Sequence, residues 1–211
     1  MAIVAQEFLT FSEAKSDALN AGPADALAKL VAWIETYLMT SNDDLGRAGA
    51  VCPFTRQAAR IDTARIAVCR AEASDEAAVY KLIRASFNML DNIPAKAGME
   101  HFRTIVIGFP HCAEEEGILM LRRVQDGHKF YSLARNRMIG LMYPGSEAPG
   151  LWNPAFRPLR APLPILAIRH MVEQDAPFAA RHLLLLAPYL LRFPLAGTKR
   201  LYAHARGGLK Q

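Results

Sequence analysis

Residues 143–164, YPGSEAPGLWNPAFRPLRAPLP, hold six of the chain's 13 prolines, at positions 144, 149, 154, 158, 162 and 164. No other segment constrains the fold as much. Proline lacks a backbone N–H and has a fixed φ, so this stretch can be neither regular helix nor a central strand. It lies between two apolar runs that read as strands, Met138–Tyr143 and Leu163–His170. A loop of this length inside a compact domain is usually functional.

The remaining pattern mixes helices and strands. Leu27, Leu30, Val31, Ile34 and Leu38 recur with helical spacing and predict a helix over Ala24–Met39, with Pro23 at its first turn. RIAVCR (65–70) and RTIVIGF (103–109) read as strands. Ser74 can cap a helix whose face is Val79, Leu82, Ile83, Phe87 and Leu90. Glu114, Glu115 and Glu116 open a long helix reaching about Asn136, and a last helix is expected from Asp175 to Phe193. The expectation is a single α+β domain over residues 1–196, a roughly four-stranded sheet covered by helices, followed by a basic tail over 197–211.

The chain is 211 residues long and 52% apolar, which suits one large domain and excludes disorder as its main state. Three widely spaced cysteines, Cys52, Cys69 and Cys112, do not make a disulfide scaffold. The N-terminus carries Glu7, Glu13 and Asp17 and no basic leader, and Leu183–Leu191 is too short to span a bilayer and reads as a buried, Pro188-kinked helix. A cytoplasmic location without membrane contact is expected. The net charge is +5, and four of those charges sit on Lys199, Arg200, Arg206 and Lys210 near the C-terminus. That is a poor basis for nucleic-acid binding.

Glycine-rich phosphate loops, zinc-ligand spacings and the common hydrolase signatures are missing from the sequence. What remains is a set of isolated donors. Cys52, ahead of Pro53, could present a thiolate to iron or be a small buried hydrophobe. His170 ends an apolar strand and could be an axial ligand or a histidine hydrogen-bonded at a helix entry. His111 and Cys112 could reach the same end of the sheet, although a surface turn is the simpler reading. Cys69 and His128 read as core, Tyr143 as a packed aromatic or a tyrosinate ligand, and His101, His182 and His204 have no special context. Arg157, Arg160 and Arg169 surround the proline-rich segment and could grip carboxylates. Glu114, Glu115 and Glu116, or Glu173 and Asp175, could receive a cation.

Several strings, LGRAGAVCPF (45–54), VIGFP (106–110), MIGLMYPGSEAPGLWNP (138–154) and LAIRHMVEQDAPF (166–178), look like a little-characterised family found among actinobacterial biosynthetic proteins. More remotely, the CPF string, the Glu-containing helix with LRRVQ, the G-x-x-x-P-x-S turn, the NP pair and the IR-x-x-x-x-x-D ending resemble small haem-dependent N-hydroxylases that act on guanidines. Such enzymes work in antibiotic biosynthesis, as in the D-cycloserine pathway. The resemblance covers roughly residues 45 to 178 and implies haem b, an iron ligand at His170 first or Cys52 second, and hydroxylation of a guanidine nitrogen of L-arginine. Arg169, Arg157, Arg160 and Tyr143 would then contact the cofactor, and Glu114, Glu115, Glu173 and Asp175 the substrate. Oxygen activation would need a redox partner or peroxide. The chain departs from those hydroxylases where Tyr143 precedes Pro144 and Ala155 follows Asn153-Pro154, positions at which they carry histidine. The alternative is a non-catalytic carrier or sensor of haem or a hydrophobic ligand. A homo-oligomer could form through an edge strand or the apolar C-terminal helix.

Overall fold

A computed structural model describes residues 7–180 and 183–208. It begins with β1 (Leu9–Thr10), whose Thr10 then caps α1 (Phe11–Ala21). The Thr10 hydroxyl accepts from the Glu13 N–H while the Glu13 carboxylate accepts from the Thr10 N–H, a reciprocal capping box. Asp25 caps α2 (Ala26–Trp33) by accepting from the N–H groups of Leu27 and Ala28, and the helix widens into a π turn over Ile34–Leu38. The expected helix is present but starts at Ala26 rather than Ala24, because Asp25 caps it and leaves Pro23 in the preceding turn instead of its first turn, and its last turn is loosened.

There follow α3 (Thr55–Arg60), β2 (Ala64–Val68), α4 (Glu76–Asn92), β3 (Thr104–Gly108), α5 (Glu115–Ala134), β4 (Arg137–Met142) and β5 (Ile165–His170). The chain closes with α6 (Ala176–Ala179), α7 (Leu183–Arg192) and α8 (Pro194–Gly208).

The five strands form one sheet in the order β1-β2-β3-β5-β4. The strand beyond the expected four is β1, too short to show a hydrophobic period. β2 and β3 run parallel, joined by a crossover through α4, and β5 is antiparallel to both β3 and β4.

Alternation along the strands gives the sheet two apolar faces. On one face Ala67, Ile105, Ile107, Ile139, Leu141, Leu166 and Ile168 pack with Val79, Ile83, Phe87 and Leu90 of α4 and Met120, Leu121 and Val124 of α5. On the other, Ile66, Val106, Met142 and Ile165 pack with Phe11 and Ala14 of α1, Leu30 and Val31 of α2, Ile34, and Ala161 and Leu163 of the proline-rich segment. The fold is a single mixed α/β domain, as the sequence pattern implies.

The C-terminal third differs from expectation. The helix expected over 175–193 is divided into α6 and α7, and the segment expected to be a tail from 197 is helical to Gly208. Packing explains this. Tyr189 is fully buried in a small core with Leu133, Met171, Ala176 and Ala179, against which Phe193 and Leu201 rest. A Cβ on Gly197 would stand 2.8 Å from the Tyr189 ring, so glycine lets α8 close onto α7. Leu191 is 85% exposed, so α7 is buried on one side only. His182 and Lys210 lie outside the described residues.

Gly117, in the first turn of α5, makes another close approach: a Cβ there would lie 2.5 Å from the Cα of Cys112. Replacing Gly117 by Ala should destabilise the protein by about 1–3 kcal/mol through overpacking against a backbone that cannot yield. Urea denaturation of the two proteins measures it, and equal midpoints would refute the close approach.

Candidate functional site

The antiparallel pairing of β5 separates the candidate residues. Thr104 stands opposite Arg169 and Gly108 opposite Ile165, while Arg137 and Met142 stand opposite His170 and Ile165. Arg169 and His170 therefore occupy one end of the sheet, and Tyr143, His111 and Cys112 occupy the other, roughly 17 Å away at ordinary strand rise. The expectation that His111 and Cys112 reach the end occupied by His170 is corrected by this strand direction. Cys112 is fully buried, its thiol donating to the Ala71 carbonyl at 3.2 Å, and burial pushes its pKa up to about 11.

The two candidate iron ligands are separated as well. His170 falls on the strand parity of Leu166 and Ile168, facing α4 and α5, whereas Arg169 takes the opposite parity. Cys52 lies within electrostatic range of the Arg169 guanidinium, and its N–H donates to the Leu38 carbonyl at 2.9 Å.

His170 has a buried Nε2 with no hydrogen-bond partner among the described residues. Burial, then the nearby Arg137 cation, pushes its pKa down to about 4, against an opposing pull from Asp91. The ring is neutral at neutral pH. Arg137 is itself held by Asp91, its Nε donating to Oδ1 at 3.0 Å.

Arg169 forms a two-pronged bond to Asp175, Nη1 to Oδ2 at 2.8 Å and Nη2 to Oδ1 at 2.6 Å. Asp175 also accepts from the Val172 N–H at 2.9 Å, and its side chain is 3% exposed. This carboxylate already has its guanidinium, from within the chain. The backbone carbonyl of Glu173 accepts from the Tyr189 hydroxyl at 2.6 Å. Tyr143 accepts from Arg122 at 3.0 Å, and Glu114, Glu115 and Glu116 are exposed at the start of α5.

Arg157 and Arg160 do converge, on a cleft of about 470 Å³ lined also by Tyr37, Asp44, Asn153, Ala155 and Phe156. One wall is the π turn and the short turn over Asp43–Leu45, and the other is the proline-rich segment. Asn153 ties the walls together, its Nδ2 donating to the Asp44 carbonyl at 2.7 Å. Gly46, at φ +76°, lets the backbone of Trp152 approach to 3.0 Å from where a Cβ would stand. The Tyr37 and Phe156 rings are 6.4 Å apart, and Trp33 stacks on Tyr37 at 5.8 Å.

The cleft has opposed charges. Arg157 and Arg160 share the Glu147 carboxylate, whereas Asp44 across the cleft enters no ion pair among the described residues. Sequence reasoning reached the two arginines but missed Tyr37, Asp44, Asn153 and Phe156. The Asp44–Asn153 contact spans 109 residues, and no local period announces it.

A haem site needs an axial donor facing a slot for the macrocycle. A buried, neutral histidine nitrogen meets the first requirement at His170. Neither His170 nor Cys52 lines the cleft, and neither borders a cavity of about 240 Å³ beside Leu9, Asp17 and Leu27. Neither of these two cavities sets a slot against the donor. Among the described residues no cluster of three or more His, Cys, Asp or Glu side chains could hold a metal ion. No described helix is long and apolar enough to cross a membrane.

Fold and cleft together define a small single-domain α/β protein with a charged, solvent-open cleft beside its sheet. The chain belongs to the family described as Domain of unknown function (DUF6875), which matches residues 27–204. No curated protein and no solved structure matches the chain.

The depressed pKa of His170 has a consequence for stability. The unfolded chain binds a proton at this residue near its ordinary pKa of about 6.5, and the folded chain only near 4. Its contribution is complete above pH 6.5 and is lost as pH falls toward 4, at most about 3 kcal/mol and less once solvent screening of the partly exposed ring is counted. Chemical denaturation of wild type and His170→Gln at pH 7 and pH 4.5 should show a smaller acid loss in the variant. Identical losses would refute the burial of a neutral ring.

Proposed function

We propose that this protein binds a small zwitterionic amino acid bearing a second cationic group, of the L-arginine type, in the cleft between the π turn and the proline-rich segment. The observation that carries the reading is the gathering of Arg157, Arg160 and Asp44 with the Tyr37 and Phe156 rings around one cleft. The arginines suit an α-carboxylate, which a guanidinium meets in two-pronged geometry. Asp44 suits a distal guanidinium or ammonium, and the rings suit the flat face of a guanidinium. A volume of about 470 Å³ lies within the range of small-molecule sites.

The activity proposed for that ligand is haem-dependent N-hydroxylation of its guanidine, by monooxygenase or peroxygenase chemistry in the cytoplasm. What favours it is the unpartnered, neutral Nε2 of His170. Cys52 is the second choice of ligand, on the strength of its loop position ahead of Pro53. Bringing haem against either residue would require the packing around it to open. Binding of haem without turnover would instead identify a carrier or sensor.

The chain's two tryptophans report on the cleft, since Trp33 stacks on Tyr37 and Trp152 adjoins Asn153. Titration with L-arginine should give a saturable change in tryptophan fluorescence. The Arg157→Ala/Arg160→Ala double variant should abolish it, and Asp44→Ala should weaken it about tenfold, the worth of one charge-assisted contact. A flat titration would overturn the binding reading. Titration with haem should give a Soret band that His170→Ala shifts or removes, and a protein that takes up no haem would reject the hydroxylase.

A further inference from the structure

The contact between Glu147 and the two cleft arginines is of a different kind from the buried ion pair elsewhere in the molecule. Glu147 follows Ser146, which is 2% exposed and anchors the turn through its N–H to the Tyr143 carbonyl at 3.1 Å. Arg160 reinforces the same turn, its Nε donating to the Ser146 carbonyl at 3.2 Å. From there the Glu147 side chain reaches out to accept from Arg157 Nε at 3.0 Å through one oxygen and from Arg160 Nη2 through the other. The backbone is anchored, while the carboxylate is 68% exposed. Two guanidiniums share a single carboxylate, leaving one net positive charge at the cleft wall.

We propose that Glu147 is a specificity-determining stand-in for the carboxylate of the ligand: it holds Arg157 and Arg160 in a carboxylate-binding geometry when the cleft is empty and is displaced by an incoming carboxylate. An exposed pair of this kind contributes little stability, so exchange for a ligand that also reaches Asp44 is easy. The contact sets a threshold. A ligand bearing only a carboxylate must compete with Glu147 unaided, whereas one that also carries a cation gains from Asp44 on the far wall. The cleft would thereby discriminate zwitterions from simple acids. This inference rests on the cleft reading above and assigns to Glu147 a role that neither arginine can fill.

The test uses acetate as a carboxylate probe and the NMR signals of the Arg157 and Arg160 Nε–H groups as the readout, with the full chain and its Glu147→Gln variant. Acetate should perturb those signals at about fivefold lower concentration in the variant, because the competing carboxylate is gone while the side chain's shape is kept. Perturbation at equal concentrations in both proteins, or in neither, would overturn the role of Glu147. L-arginine is then titrated against wild type and variant. Tighter binding by Glu147→Gln is expected, and weaker binding would overturn the proposal by showing that Glu147 serves the ligand's cation. If wild type and variant both ignore L-arginine while the acetate response differs, the stand-in role survives and only the assignment of the substrate falls.

Discussion

Insertion of β5 between β3 and β4 is the constraint on which the rest of the structure depends. β5 pairs with both neighbours, Ile165 to Arg169 with β3 and Ile165 to His170 with β4. Without it β4 would have no partner and the apolar face formed by Ile105, Ile139 and Ile168 would be split. The chain leaves β4 at Met142 and reaches β5 only at Ile165. The intervening prolines stop that segment from extending the β4–β5 ladder into a longer hairpin. It folds instead over the opposite face of the sheet, burying Ala161 and Leu163 in that core and leaving Phe156, Arg157 and Arg160 beside Tyr37. The cleft is thus a consequence of how the sheet is completed.

The end of β5 is secured by charge. Asp175 is buried, and a lone carboxylate there would be strongly unfavourable. Arg169 supplies the counter-charge with both of its terminal nitrogens, and the Val172 N–H supplies a third hydrogen bond. This fixes the turn after β5 and delivers the chain to α6, from which the small core around Tyr189 is built. The basic residues from Lys199 onward are, as far as Gly208, carried on a helix packed against that core.

How much of this could be read from residues depended on the range of the interaction. The strands at 64–68, 104–108, 137–142 and 165–170 and the helices at 76–92 and 115–134 follow from local apolar spacing, because burial of one face imposes that spacing. α1 passed unnoticed although Thr10 and Glu13 form a capping box, a local signal open to sequence reading. The end of α6 at Ala179 was not legible, because no glycine or proline follows it before Pro188 to mark a stop. The arginines of the cleft were legible as cations flanking a proline-rich loop. Tyr37 and Asp44 were not, since their role arises only when chain more than a hundred residues distant is folded onto them, as the 109-residue span between Asp44 and Asn153 illustrates.

Two guanidinium–carboxylate arrangements, one within this loop and one just beyond it, show how one chemistry serves two ends. In Arg169–Asp175 the carboxylate is removed from water and saturated by three donors, so that losing the arginine would strand a buried charge. That pair is committed to the fold. In Arg157–Glu147–Arg160 the carboxylate is exposed and shared, water can replace it at little cost, and the backbone carbonyls of Pro154 and Ser146 hold the arginines alongside the glutamate. Exchange at the first site would unfold the turn after β5, whereas exchange at the second leaves the loop intact. A recognition site needs cations that are held in place but incompletely neutralised, and of the two arrangements only the second provides them.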